Sequence, residues 1–136
     1  MNLLAVETST ELCSVALLRG GELFVEEALA ENRHSELLAP LVRKVLERAH
    51  LSAAHMDAFG FGQGPGSFTG IRIACGMTQG LAYAAHRPVV PVPSLLALAR
   101  WTIALANDIS ATCAGNGRTC SLCGAHNGMS RGITEL

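Results

Sequence analysis

Residues Gly62 to Gly80 read Gly-Gln-Gly-Pro-Gly-Ser-Phe-Thr-Gly-Ile-Arg-Ile-Ala-Cys-Gly-Met-Thr-Gln-Gly. Glycines at 62, 64, 66 and 70 bracket Pro65, Ser67 and Thr69, so a tight turn with few steric limits leads straight into a helix. Such a loop has two uses. It can ring an anion with backbone N–H groups, or let two backbones approach closely. A P-loop needs a lysine ahead of its final Ser/Thr, and Gly70 is followed by Ile71 and Arg72. Pro65 removes one N–H donor, and no acidic residue follows the next strand where a dinucleotide fold needs it. Close backbone packing is the favoured use.

Outward from this loop, Asp57–Gly62 reads as a strand entering it, and about Thr69 to His86 as a helix leaving it, ended by Pro88. Val89–Val92 is a further strand, and Ser94 is expected to cap a helix from Leu95 to about Ala106. Toward the N-terminus, Leu3–Glu7, Leu12–Leu18 and Leu23–Ala28 are strands, the last two joined across Arg19-Gly20-Gly21-Glu22. From Ser35 to His50 the period becomes helical, with Ser35 as the expected N-cap and Pro40 bending the first turns or shifting the start. Three antiparallel strands, helix, strand, helix, strand, helix is the order of an α/β fold with a mixed sheet.

Charged residues make up 15% of the chain and the formal net charge is −1. No basic stripe interrupts this balance, which argues against direct high-affinity binding of tRNA or DNA. Apolar runs break well before the roughly 18 residues of a membrane span, and the N-terminus lacks a basic leader, so a cytoplasmic location is expected. Cys13 and Cys75 fall in apolar periodic segments and read as small core residues.

Both central helices carry more apolar surface than packing on a sheet requires. In the first, Leu37 and Leu41 lie at one edge beside Lys44 and Arg48. In the second, Ile73, Met77 and Ala84 extend the apolar face, with Gly76 and Gly80 alongside. Arg72, Gln79, Tyr83 and His86 are its only polar strip. Two explanations stay open: burial under the rest of a larger protein, or an interface with a partner.

Signals for chemistry are sparse. The five histidines include no His-Glu-x-x-His, and no carboxylate is evidently paired with Glu7 or Asp57. No catalytic residue and no metal ligand is assigned. Cys113, Cys120, Cys123 and His126 are of ligand type, but three of them within seven residues is tighter than paired zinc knuckles.

Four motifs in order carry a resemblance: Val6-Glu7-Thr8-Ser9-Thr10, His34-Ser35-Glu36-Leu37-Leu38, Gly64-Pro65-Gly66-Ser67-Phe68-Thr69-Gly70-Ile71-Arg72, and Pro93-Ser94-Leu95. Together they closely resemble the bacterial TsaB (YeaZ) family, in the Gcp-like branch of the sugar kinase/Hsp70/actin (ASKHA) superfamily. The match covers residues 1–106. It implies an RNase H-like lobe, a five-stranded mixed sheet with helices on both faces. It also implies a non-catalytic role in tRNA threonylcarbamoyladenosine formation. The expected partners are a TsaD-like paralogue and a TsaE-like ATPase, with tRNA contacted only indirectly and a homodimer as an alternative pairing.

The family's interface uses the first two helices, which places it here on Leu37, Leu41, Lys44, Arg48, Ile73, Gly76, Met77, Gly80 and Ala84. No cofactor is expected, save ATP or ADP at a partner interface. Any nucleotide contact of this lobe would fall on Thr8, Ser9, Gly64, Gly66 and Ser67. TsaD-type paralogues carry a His-x-x-x-His metal pair, whereas the residue four beyond His34 is Leu38. The alternative within the superfamily, a small-molecule kinase or ATPase, uses an Asp-x-Gly-x-Thr phosphate loop, and Glu7-Thr8-Ser9-Thr10-Glu11 stands in its place.

Residues 107–136 depart from the family pattern. TsaB-like proteins enter a second lobe through an Asp-Ala-Arg-type strand, and here Ala106-Asn107-Asp108 leads into Ile109-Ser110-Ala111 and a Cys/Gly-rich segment. A truncated or frame-shifted TsaB with a poorly ordered tail is the expectation.

Overall fold

The computed structural model describes residues 1–31 and 33–115, with side chains described through residue 105. In order these are β1 (Asn2–Glu7), β2 (Leu12–Arg19), β3 (Glu22–Leu29), α1 (His34–Arg48), a 3-10 turn (Ala53–His55), β4 (Ala58–Gly62), α2 (Phe68–Ala85), β5 (Val89–Val92) and α3 (Ser94–Gly115). The strands form one five-stranded sheet in the order β3-β2-β1-β4-β5. β1 pairs antiparallel with β2, and β2 with β3, while β1–β4 and β4–β5 are parallel. The β2–β3 turn places Gly20 and Gly21 both at positive φ, the backbone that a two-residue hairpin asks for. The mixed α/β sheet expected of an RNase H-like lobe is present.

The register sorts the side chains by face. Leu4 lies beside Leu17 and Phe59, and Val6 beside Val15, so one face presents a continuous apolar surface. α1 and α2 pack on it and touch each other, and the fully buried Leu4, Leu17, Leu38, Val45, Phe59 and Ala74 form the core between the layers. Burying a side chain of the Leu or Phe class stabilises by about 1.5–3 kcal/mol. On the other face, Leu23, Val25 and Leu29 of β3 and Val90 of β5 are exposed.

Two helix starts differ from the sequence expectation. Residue Arg33, not Ser35, occupies the N-cap of α1, and it makes no side-chain cap bond. The helix begins at His34 because its ring reaches back to the Thr10 carbonyl, and it runs on through Pro40. Ser94 is the first residue of α3 instead of its cap, because its hydroxyl is donated to Glu7. α2 starts as expected, with the Ser67 hydroxyl accepting from the Gly70 N–H at 3.2 Å. It ends at His86 in the left-handed conformation.

The chain divides into two units, Met1–Leu96 and Ala97–Leu136. α3 does not stop near Ala106 but continues to Gly115. Of the segment 107–136, residues 116–136 lie outside the described residues, and with them Cys120, Cys123 and His126. The side chain of Cys113 is likewise not described. Among the described residues no three His, Cys, Asp or Glu side chains are grouped to hold a metal, and no helix is long and apolar enough to cross a membrane.

Glycine substitutions separate the two kinds of glycine in α2. A Cβ on Gly70 would fall on the Thr8 carbonyl oxygen, whereas one on Gly76 or Gly80 would meet nothing within 4 Å among the described residues. Gly70→Ala is expected to lower stability by several kcal/mol, within the range for steric conflict with backbone. Gly76→Ala and Gly80→Ala are expected to raise it by about 1 kcal/mol each, read by urea denaturation. The Thr78 hydroxyl is fully buried without a hydrogen-bond partner, so Thr78→Val is expected to raise the urea midpoint instead of lowering it. Glu26 is held below the usual carboxylate range by hydrogen bonds from Lys44 and Arg48 and by their charge. A depressed carboxyl contributes stability that is complete at neutral pH and lost as pH falls through its folded value, below about 4.5. Glu26→Gln is therefore expected to flatten the acid limb of the stability profile and leave its alkaline side unchanged.

Candidate functional site

The loop that enters α2 is seated on the turn between β1 and β2. The Ser67 N–H donates to the Ser9 carbonyl at 2.7 Å, and the Thr8 hydroxyl donates to the Gly70 carbonyl at 2.7 Å. A Cβ on Gly66 would fall on the Ser9 backbone. Gly64 adopts φ +94°, which a side chain disfavours, and its carbonyl accepts from the Ser94 N–H at 2.9 Å. Glu7 closes the arrangement: one carboxylate oxygen accepts from the Ser9 N–H at 2.7 Å and the other from the Ser94 hydroxyl at 2.8 Å.

Thr8, Ser9, Gly64, Gly66 and Ser67, the residues named for nucleotide contact, are thus brought together, but the Thr8 and Ser67 hydroxyls are engaged with Gly70, the Ser9 N–H with Glu7 and the Ser67 N–H with the Ser9 carbonyl. Thr8 is fully buried. Close approach of two backbones, the favoured sequence reading, is what the glycines of this loop serve. Glu7 and Ser94 were missed as organisers of the loop. An acidic residue ending a buried strand was the one available sign for Glu7, because a carboxylate there needs donors.

The residues named for a partner interface divide between two flanks of the helical layer. Leu41 is 9% exposed and belongs to the core, which corrects its place among the interface residues. Lys44 reaches across to β3, with its ammonium 2.6 Å from Glu26. Arg48 joins the same carboxylate and donates to the Val25 carbonyl at 3.2 Å. These two basic side chains are therefore committed to β3. The register pairs Glu26 with Val15, on the core-facing side of the sheet, and an acidic residue there calls for a basic neighbour. Leu37, half-buried, packs against the core.

The α2 set behaves differently. Ile73 and Met77 are half-buried, while Gly76, Gly80 and Ala84 are exposed along one side of the helix. Met77 and Leu81 also line an apolar groove of about 370 Å³, whose other wall is Ala39, Val42 and Leu46 of α1. The α2 stripe is continuous with this groove. On α1 the groove is lined by Ala39, Val42, Arg43, Leu46 and Glu47, while Lys44 and Arg48 lie on the flank toward β3. Elsewhere on α2, Phe68 and Tyr83 are 70% and 83% exposed, with the Arg72 guanidinium 4.2 Å from the centre of the Phe68 ring. Aromatic and arginine side chains of this kind are the residue types that dominate binding energy at protein interfaces.

Comparison with known proteins agrees with this architecture. The family profile described as TsaD, tRNA N6-adenosine threonylcarbamoyltransferase, matches residues 25–131. The tRNA threonylcarbamoyladenosine biosynthesis protein TsaB of Haemophilus influenzae is 45% identical over 100 residues, covering 74% of this chain and 42% of that protein. Its Escherichia coli counterpart is 39% identical over 100 residues, covering 74% and 43%. The solved structure of YeaZ from Pseudomonas aeruginosa superposes with a TM-score of 0.66 at 48% identity, covering 68% of this chain and 43% of that one. The chain spans less than half the length of the curated relatives it matches. With its sheet, its glycine loop and its relatives in agreement, the chain belongs to the TsaB (YeaZ) group of the TsaD-like family.

Proposed function

We propose that this lobe is the partner-binding half of a TsaB-type accessory protein, which supports threonylcarbamoyl transfer to tRNA without performing catalysis. Its partner is a TsaD-type transferase, docked on the α2 stripe and the groove between α1 and α2. A TsaE-type ATPase joins that assembly, and tRNA is met through the transferase. The observation that carries the reading is the exposed run Gly76, Gly80 and Ala84 beside an apolar groove. Glycines in an exposed helix interior cost about 1 kcal/mol each relative to alanine, and a Cβ at either of these positions would meet nothing within 4 Å among the described residues. A partner helix approaching the bare backbone is a physical reason to keep them.

The rival reading, a small-molecule kinase or ATPase lobe, is disfavoured by the state of the β1–β2 turn. The Thr8 hydroxyl and the Ser9 N–H, which would face a phosphate, are given to Gly70 and Glu7. ATP or ADP is placed at a partner interface, if bound by the assembly at all, and the setting is the cytoplasm.

Binding of the full chain to a TsaD-type transferase, followed by titration calorimetry, tests the proposal. Gly80→Gln and Met77→Asp are expected to weaken the complex at least about tenfold, as hot-spot substitutions do. Gly80→Gln is expected to do so without lowering the melting temperature of the free chain. Lys44→Ala is expected to leave the affinity unchanged. Absence of a complex, or equal affinity for wild type and both α2 variants, would contradict the assignment.

A further inference from the structure

The β1–β2 turn holds both helices that form the groove. Three successive residues each bond to the beginning of a helix. The buried Thr8 hydroxyl donates to Gly70 in the first turn of α2 at 2.7 Å, and the Ser9 carbonyl accepts from Ser67, the N-cap of the same helix, at 2.7 Å. The Thr10 carbonyl lies 2.8 Å from Nε2 of His34, the first residue of α1. A carbonyl only accepts, so Nε2 carries the proton and donates. His34 is 7% exposed, and α1 has no side-chain cap of its own, so this ring is what ties down its beginning.

We infer that the Thr8–Thr10 turn is a positioning device: it sets the spacing of α1 and α2, and with it the width of the groove between them, with Thr8 and His34 as its positioning residues. The consequence for binding rests on the groove being the partner surface, as proposed above. Beneath the helices the contacts are apolar, through Leu38, Val45, Ala74 and Ala82, and apolar contact is non-directional. Such packing holds the helices on the sheet but sets their register weakly. The hydrogen bonds at their beginnings supply direction there, as Lys44 and Arg48 on Glu26 and Arg19 on the Ala49 carbonyl do toward the far end of α1. A cavity of about 550 Å³ lies against the turn, lined in part by Ser9, Thr10, His34 and Ser67, so the turn is not wedged in place by close packing on that side. At 1.5 Å rise per residue, groove residues Ala39 and Met77 sit only about 8–10 Å along their helices from His34 and Gly70. A shift at either beginning therefore reaches the groove.

The test uses the full chain, with amide hydrogen exchange in the free protein and titration calorimetry against a TsaD-type transferase. Thr8→Val removes the donor while keeping the shape, and Thr8→Ser retains it. His34→Leu and His34→Gln form the matching pair for α1. Thr8→Val is expected to speed exchange in the first turn of α2 and weaken the complex about three- to tenfold, the worth of one hydrogen bond, with Thr8→Ser restoring both. His34→Leu is expected to act likewise on α1, with His34→Gln restoring. Leu17→Ala, in the core toward the other end of β2, is expected to lower the melting temperature more than either while leaving affinity unchanged. Unchanged exchange at the helix beginnings in Thr8→Val and His34→Leu overturns the inference. So does altered exchange with unaltered affinity, or an equal loss of affinity in Leu17→Ala. If Thr8→Val does not fold, the His34 pair decides. If the wild-type chain forms no complex with the transferase, the functional proposal fails, and the positioning role is decided by the exchange data alone.

Discussion

Close contact between two stretches of backbone, the Thr8–Ser9 turn and the Gly66–Gly70 loop, is the constraint on which the lobe depends. The hydrogen bonds across it contribute about 0.5–1.5 kcal/mol each. The larger effect is steric. Side chains at Gly66 or Gly70 would occupy the space of the Ser9 and Thr8 backbone, and one of the two segments would have to move. Because Gly70 belongs to the first turn of α2, the contact also fixes where that helix begins over the sheet. The position of α2 then defines one wall of the groove shared with α1.

The same helix has to satisfy two surfaces. Ala74, Thr78 and Ala82 face the sheet and are buried, while Gly76, Gly80 and Ala84 face outward. Small residues on both sides allow close approach from both sides, at the expense of intrinsic helix propensity at the two outward glycines. α1 is asymmetric in a different way. Its Lys44 and Arg48 flank is anchored to Glu26 on edge strand β3, where Arg48 also occupies the Val25 carbonyl. A bonded carbonyl and a charged cluster on an edge strand reduce its capacity to pair with another chain. The flank of α1 left for a partner is the one turned toward α2.

Much of the fold was legible because local signals agreed with each other. Alternation in Leu23–Ala28, the Gly20-Gly21 turn and the helical period of residues 35–50 each mark one element. The favoured role of the glycine loop was also legible, since a missing lysine and Pro65 leave it poorly suited to phosphate. What was not legible depends on contacts between distant residues. The start of α1 is set by a bond from His34 to Thr10, and the role of Ser94 by Glu7, 87 residues away in sequence. The anchoring of Lys44 and Arg48 to β3 was not legible for the same reason. Helical periodicity locates Lys44 and Arg48 at the edge of an apolar face, but only the register of β3 reveals Glu26 beneath them. The continuation of α3 past Ala106 lies where apolar periodicity gives no boundary, so local pattern offered no guide there.

Amide hydrogen exchange of the chain, free and bound to a TsaD-type transferase, tests the central claim most directly. Protection on binding is expected to concentrate in the outward turns of α2 around Gly76–Ala84 and in α1 around Ala39–Leu46, with β3 unaffected. Protection concentrated instead along Leu23–Leu29, on the opposite face and edge of the sheet, would contradict it.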